Sequence, residues 1–499
     1  MGITDNLYDM YKPLRNKMRR LETRVALMQI WALIKNIKGE GGLPTDFHHL
    51  PDASIRKHVY EWDLALLARE VILNGGNRGD ASLLRYRDFA SIINLLKKTT
   101  EAQSKLFVND STIQHEVHRV GQQQFPFQTD QKKLYRFFKI FRDPALEKIF
   151  FDVTGLTVGK FLFLGLSVSG SLMSNPRYSI RQSFKDFGIS DKERDAFFQR
   201  VVVDLGILRD KTKAVQEYNE NWSYTFNPLL TSPLVIDPHD SGMAICPIRS
   251  YFNSRIGEGL VFDIFKKRKG SEEAYGKAYE AYVTWVTDEL INDPSLTVIS
   301  ESEYYVGKNL KHGFDLYLYD DTYALLIECK AKRLKLSSRY QGKESALNAD
   351  LQVLAKSIVQ CYKNLLDILN KQTNWDCGER TLRPIVVSLM ECYMWMPEMQ
   401  MKLENFLLEK LVHLGINPEI ITRHPYSLMS ISEFEMSLQI INRIGLRQFF
   451  ADKQAARFTG WAIDSFVHTN YSDLIPSLTS NYLQIEINQL MEEFAGPQQ

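Results

Sequence analysis

Cysteine is scarce in this chain, with five among 499 residues (246, 329, 361, 377 and 392), an odd number with no Cys-x-x-Cys and no regular spacing. That argues against a disulfide framework and fits a reducing, cytoplasmic setting. An excess of charge of either sign is also missing. Lys plus Arg number 61 against 60 Asp plus Glu, a formal net charge of +1. No global field therefore draws the protein to polyanions, and any nucleic-acid footprint has to be a local patch. Long apolar runs are missing too. The longest charge-free apolar stretch, residues 161–174, carries internal Gly and Ser, is too short to span a bilayer, and reads as a buried helix, so no membrane partner is expected. The N-terminus, MGITDNLYDMYK, has no apolar h-region, and Asn6 stands where a myristoylation signal needs Ser or Thr. There is no repeat period and no low-complexity linker.

What is present begins with size. A chain of this length with 44% hydrophobic residues can bury more than one core and is expected to divide into domains. Residues 1–220 are helical in pattern. Leu14, Met18, Leu21, Val25 and Met28 follow alternating steps of four and three, on a helix expected from Pro13 to just before Gly39, and fewer than three heptads favour a bundle helix over a dimer zipper. Further helices are expected over 54–73, closed by Asn74-Gly75-Gly76, and over 81–98. His115 and His118 stand at i and i+3, lack the spacing of a zincin helix, and read as a solvated helical face. His48, His49 and His239 read as loop histidines. The 75–79 loop has no strand before it and no Lys-Ser/Thr after it, so it reads as a helix terminator and not a phosphate loop. Over 221–269 the pattern turns to short strands and turns, a β-rich connector ending in four cations at 266–269, which suit a solvated linker and a phosphate-contacting patch equally.

The most informative stretch runs from Gly313 to Lys332, GFDLYLYDDTYALLIECKAK, in which two alternating apolar strands meet at Asp320-Asp321-Thr322. Successive side chains of a strand take opposite faces. Phe314, Leu316 and Leu318 therefore share one face, with Asp315, Tyr317 and Tyr319 on the other. On the second strand Ala324, Leu326, Glu328 and Lys330 project together, opposite Leu325, Ile327 and Cys329. With the tip at Asp321-Thr322, position 318 pairs with 325 and Asp315 stands across from Glu328; because Asp-Thr is not a favoured two-residue turn, a register shifted by one pair is the alternative. Cross-strand neighbours lie roughly 5 Å apart. Two carboxylates at that separation repel, and a hard divalent cation taking oxygen ligands resolves the conflict. A bare Glu-X-Lys is common and by itself marks a solvated strand edge. Here it competes with an Asp at hairpin spacing, and with charges at the end of a strand, Tyr-Ala-Leu-Leu-Ile, apolar enough to be central in its sheet, where charges without a task are expensive.

The arrangement, Asp315 and then Glu328-Cys329-Lys330, resembles the PD-(D/E)XK nuclease superfamily, which includes restriction endonucleases, Holliday-junction resolvases and many bacterial defence nucleases. The resemblance covers roughly residues 270 to 440, with Phe-Asp in place of Pro-Asp. It implies a restriction-endonuclease-like α/β core over 270–445, a mixed sheet flanked by helices, preceded by the mostly helical half and followed by a helical segment over 446–499. It further implies that Asp315 and Glu328, with the backbone carbonyl of Cys329, hold Mg2+, for which Mn2+ can substitute, while Lys330 orients or activates the attacking water. The segment Gly276 to Glu280 resembles the family's first helix, whose Glu often completes the metal site, although Glu280 could instead pair with Lys277 or Lys308. Ser271 is expected to cap that helix, with Tyr275, Tyr279, Tyr282, Val286 and Leu290 as its apolar stripe. A strand over 296–306 follows. After the hairpin, a helix over 348–369 is expected to bury Leu351, Leu354, Ile358, Tyr362, Leu365 and Leu369, with Gln352, Lys356, Gln360 and Lys363 as a second stripe. Some superfamily members place Gln-x-x-x-Tyr on this helix near the site. Here Gln360 is followed by Asn364, which leaves Gln360 between a site residue and a solvated face. A strand over 383–390 closes a βαβ crossover, and covering helices are expected over 401–414 and 432–444, the latter with a capping box at Ser432 and Glu435.

The resulting expectation is a Mg2+-dependent endonuclease acting on nucleic acid, with DNA as the default substrate and RNA, transfer RNA included, as the alternative. A bacterial defence role of anti-phage or restriction type fits, with the helical half sensing, binding or restraining and offering a surface to a protein trigger; a homodimer is compatible. Two other classes compete. One is a catalytically silent nuclease fold used for binding, against which intact Asp315, Glu328 and Lys330 speak; the other is a helical scaffold whose hairpin stores an ion.

Overall fold

The computed structural model describes residues 3–42, 45–47, 52–108, 113–124, 127, 131–265, 270–300, 303–331, 344–389 and 397–495. The chain divides into two compact units. One comprises Met1–Ser271, Tyr340–Gly342 and Leu483–Gln499, the other Glu272–Arg339 and Lys343–Tyr482.

The first unit is mostly helical. The stretch expected as one helix from Pro13 is two, Ile3–Met18 and Thr23–Ile37. Between them the chain turns aside so that Leu21 bridges Ala81 and Glu22 bridges Gly76. The loop it meets is glycine-rich for a steric reason. A Cβ on Gly79 would lie 2.3 Å from the Arg20 carbonyl oxygen and 2.5 Å from Glu22 N. The 75–79 loop thus ends the helix Glu61–Asn74, as expected, and also packs against the break that the four-and-three pattern runs through. Past the break the buried stripe is Ala26, Leu27, Ile30, Leu33 and Ile34, while Val25 and Met28 are half-buried. The helix expected over 54–73 is likewise split, into Asp52–His58 and Glu61–Asn74, and the next lies at Tyr86–Phe107. The apolar stretch forms the helix Val158–Ser171, with Phe161, Leu162, Leu164 and Val168 buried. Among the described residues no single helix is long and apolar enough to cross a membrane.

Residues 221–265 belong to the first unit. Their strands Leu234–Asp237 and Asp240–Ile245 join Arg177–Ser179 and Val202–Val203 in a four-stranded sheet, and buried Arg69 donates to the carbonyls of Trp222 and Thr225. The partner strands at 177–179 and 202–203 are too short to show a period, which is why the pairing is invisible in sequence. His118 is buried and does not sit on a solvated face. His48, His49 and residues 266–269 lie outside the described residues. The last helix, Asn481–Ala495, returns to this unit: Phe494 stacks on Phe163 with centroids 4.4 Å apart, and Lys139 pairs with Glu486. The residues after 445 are therefore shared between the two units and do not form a segment of their own.

The second unit is a mixed sheet flanked by helices. In chain order it contains α1 (Ser271–Leu290), β1 (Thr297–Ser300), β2 (Glu303–Val306), β3 (Asn309–His312), β4 (Leu316–Tyr319), β5 (Tyr323–Lys330), α2 (Glu344–Leu369), β6 (Thr381–Ser388), α3 (Pro397–His413), β7 (Ser427–Ser430) and α4 (Ile431–Ile444). The sheet order is β7-β6-β5-β4-β1. β5 is central, and residues Tyr323 through Cys329 are all buried, as its unbroken apolar run implies. β4 runs antiparallel to β5, and β6 parallel to it, so α2 is the crossover of a βαβ unit. Of the strand expected over 296–306, Thr297–Ser300 joins this sheet as β1; among the described residues β2 and β3 pair only with each other, in a ribbon that turns at Gly307, whose φ of +64° favours glycine. All five residues of the α1 stripe are buried. On α2 the expected apolar face is buried except Leu369, the last helical residue, which is 41% exposed. The capping box of α4 sits two residues earlier than expected, at Ser430 and Glu433. Ser430 ends β7 and starts the helix at once, which frees Glu435 to be buried, where it accepts from the hydroxyls of Tyr282 (2.7 Å) and Tyr482 (3.0 Å).

Candidate metal centre

The hairpin of β4 and β5 closes in the register read from the sequence. Leu318 pairs with Leu325 and Leu316 with Ile327, so one further step sets Asp315 across from Glu328. The unfavoured Asp-Thr tip is held by Asp320, whose Oδ1 accepts from the N–H groups of Thr322 (2.6 Å) and Tyr323 (2.8 Å). At the other end of the hairpin the half-buried Asp315 accepts the Cys329 N–H at 2.5 Å through Oδ2. A strand residue directs its N–H and C=O to the same side, and those of its neighbour to the opposite side. The Lys330 carbonyl accepts from Leu389 N, beyond β6, so the Cys329 carbonyl is directed to the Asp315 side. Glu328 and Lys330 project together as expected, and the Lys330 ammonium sits on Glu328 Oε1.

Two further elements converge on this end of the sheet. From α1, the Tyr279 hydroxyl donates to the Val387 carbonyl at 3.3 Å, and Val387 is the β6 partner of Cys329. That level brings Glu280 within electrostatic reach. Burial first, then Asp315, Glu328 and Glu280, push the Cys329 thiol well above the usual cysteine range. From α2, Cys361 faces the carboxylates, and its thiol is pushed up by burial and then by Glu328. Burial would lower the Lys330 ammonium, but Glu328 and Asp315 outweigh it and hold it above the usual lysine range.

Gln360 stands apart from the carboxylates. It is an exposed residue of α2 whose amide donates to Asn364 Oδ1 at 3.0 Å, and buried Asn364 in turn donates to the Gly313 carbonyl at 3.0 Å, two residues before Asp315. Gln360 therefore reaches the site only through Asn364, which holds the backbone entering β4. Cys361 and Asn364 are the site neighbours that sequence reasoning missed. The signal for Cys361 was present, since it falls on the helical face set by Leu354, Ile358 and Leu365, whereas Asn364 stands about 100° from Leu365 and off the centre of that face.

The donor set fits a hard divalent cation. Two carboxylates, Asp315 and Glu328, act on one ammonium, a formal local charge of about −1, and with a backbone carbonyl they offer oxygen only. Among the described residues no three His, Cys, Asp or Glu side chains are already gathered as a ligand group, so Glu280 enters as a neighbouring charge. Comparison with protein-family models, with curated proteins and with solved structures returns no match for this chain.

Proposed function

We propose that the second unit is a restriction-endonuclease-like, PD-(D/E)XK-type phosphodiesterase core, and that the protein is a metal-dependent endonuclease cleaving nucleic acid, DNA by default, in a defence role. The observation that carries this reading is the juxtaposition of Asp315 and Glu328, with Lys330 on Glu328, at the end of the central strand of a mixed sheet. Asp315, Glu328 and the Cys329 carbonyl would hold Mg2+. When bound, the ion supplies Lewis-acid polarisation of a phosphate and a more acidic water. Despite burial, Glu328 and Asp315 hold the Lys330 ammonium above the usual lysine range in the metal-free site. As an ammonium it can orient a water and steady charge on a phosphate. Asn364 fixes the turn that aims Asp315. The helical unit supplies affinity or restraint.

The test is cleavage of DNA and RNA by the full chain. Activity should require Mg2+ or Mn2+, vanish with chelator, and not be sustained by Ca2+, which tolerates looser geometry. Asp315→Ala and Glu328→Ala should each abolish turnover and weaken Mg2+ binding by calorimetry. Full activity in excess chelator would refute the reading, and nucleic-acid binding without cleavage in any metal would favour a silent binding module.

A further inference from the structure

The outer face of α2 carries a charge pattern that the carboxylate site does not use. Lys356, Gln360 and Lys363 from α2, with Glu409, Lys410 and His413 from α3, line a groove of about 400 Å³. Val359 and Leu414 give it an apolar side. Three ammonium groups meet one carboxylate there, a formal excess of about two positive charges, in a chain whose overall net charge is only +1. Among the described residues none of the three lysines makes an ion pair, whereas Lys402, on the same helix α3, is paired with both Glu344 and Glu398. Exposed cations that merely solubilise a surface are ordinarily interspersed with acids. Here a single acid, Glu409, accompanies three cations along the concavity.

We infer that this groove between α2 and α3 binds the phosphodiester backbone of a nucleic-acid strand, spaced ammonium groups taking successive phosphates and the Gln360 amide and His413 lying between them. Naming the polyanion rests on the nuclease reading; the local charge excess does not. Gln360 lies beside Cys361, which faces the carboxylates, so the groove and the site are carried on different faces of one helix at one level.

The test measures binding of a fluorescent single-stranded oligonucleotide, DNA and RNA separately, by anisotropy from 50 to 300 mM salt, using full-length Glu328→Ala protein so that cleavage plays no part. Each phosphate contact on a single strand contributes about 0.7 to the slope of log affinity against log salt. Lys356→Ala/Lys363→Ala/Lys410→Ala should therefore flatten the slope by about 2 and weaken binding at least tenfold at 100 mM salt. Removing three exposed lysines elsewhere, Lys211, Lys277 and Lys371, should leave the slope within about 0.5 of the parent. Circular dichroism of both triple variants should match the parent. An unchanged slope in the groove variant overturns the inference, as does equal flattening in both variants, which would report net charge alone. Displacement by millimolar mononucleotide or by polyglutamate as effective as by unlabelled strand would also overturn it. Wild-type cleavage measured in parallel separates the two readings: a groove effect in a protein that cleaves nothing leaves the groove standing and removes the nuclease, and cleavage indifferent to the groove lysines does the reverse.

Discussion

Replacing Lys330 by Ala leaves Glu328, whose side chain is 8% exposed, without its cation. Removing one partner of a buried ion pair costs about 3–5 kcal/mol. Water screens part of that here, because the Lys330 side chain is 34% exposed, and about 2 kcal/mol is expected. In a unit of about 200 residues, each kcal/mol moves Tm by about 2–4 °C. The variant should therefore melt about 4–8 °C below wild type in chelator. Lys330 is held above its ordinary range, so its contribution is complete below the unfolded lysine value and fades only as pH rises through the raised one. The deficit should accordingly be equal at pH 6 and pH 9. Mg2+ at about a hundred times Kd adds about 2.7 kcal/mol to a protein that binds it only when folded, and should restore the melting temperature of Lys330→Ala without restoring turnover. The double variant Glu328→Gln/Lys330→Ala, with no carboxylate to strand, should melt above Lys330→Ala in chelator and gain little from Mg2+. Scanning fluorimetry in chelator and in a Mg2+ titration reads all of this. A Tm of Lys330→Ala within 1 °C of wild type in chelator, or a double variant that melts lower than the single, would refute the argument.

Gly79→Ala should destabilise the first unit by about 3 kcal/mol, since its Cβ meets backbone atoms of Arg20 and Glu22 that cannot give way. Gly276→Ala, with open space at its Cβ inside α1, should stabilise by about 0.8 kcal/mol, and urea melts of the full chain check both. Burial would raise the Asp237 carboxyl, but Arg24 at 2.7 Å, the His239 N–H and Arg177 outweigh it and hold it below the usual carboxylate range. The stability this supplies is present above the unfolded Asp value and is lost as pH falls through the depressed one, so the gap between wild type and Asp237→Asn in acid titrations monitored by fluorescence should be full at pH 6 and close below about pH 4. Expressed alone, residues 272–482 should slow cell growth more than the full chain does; a soluble fragment no more toxic than its Glu328→Ala version would refute restraint by the helical unit.

The hairpin and the side-chain set on it are legible in the chain alone. A period of two is rigid over a few residues, so a tip at Asp321-Thr322 was enough to place Asp315 opposite Glu328 and to put Lys330 beside Glu328. The centrality of β5 is legible too, because a strand apolar at every position has to be covered on both faces. The buried stripes of α1 and α2 were legible for the same reason, as each is long enough for the helical period to be unambiguous. Tertiary structure alone decided what depends on meeting a distant partner. The break at 19–22 exists because the 75–81 loop packs into it, and strands of two or three residues at 177–179 and 202–203 pair with the strands Leu234–Asp237 and Asp240–Ile245. Asn481–Ala495 buries its apolar face on a helix more than three hundred residues earlier. Gln360 and Asn364 stand only about 40° apart on α2, yet packing alone put Asn364 on the Gly313 carbonyl and left Gln360 in the groove with the lysines, because the chain does not record where along a helix face its neighbours stop covering it.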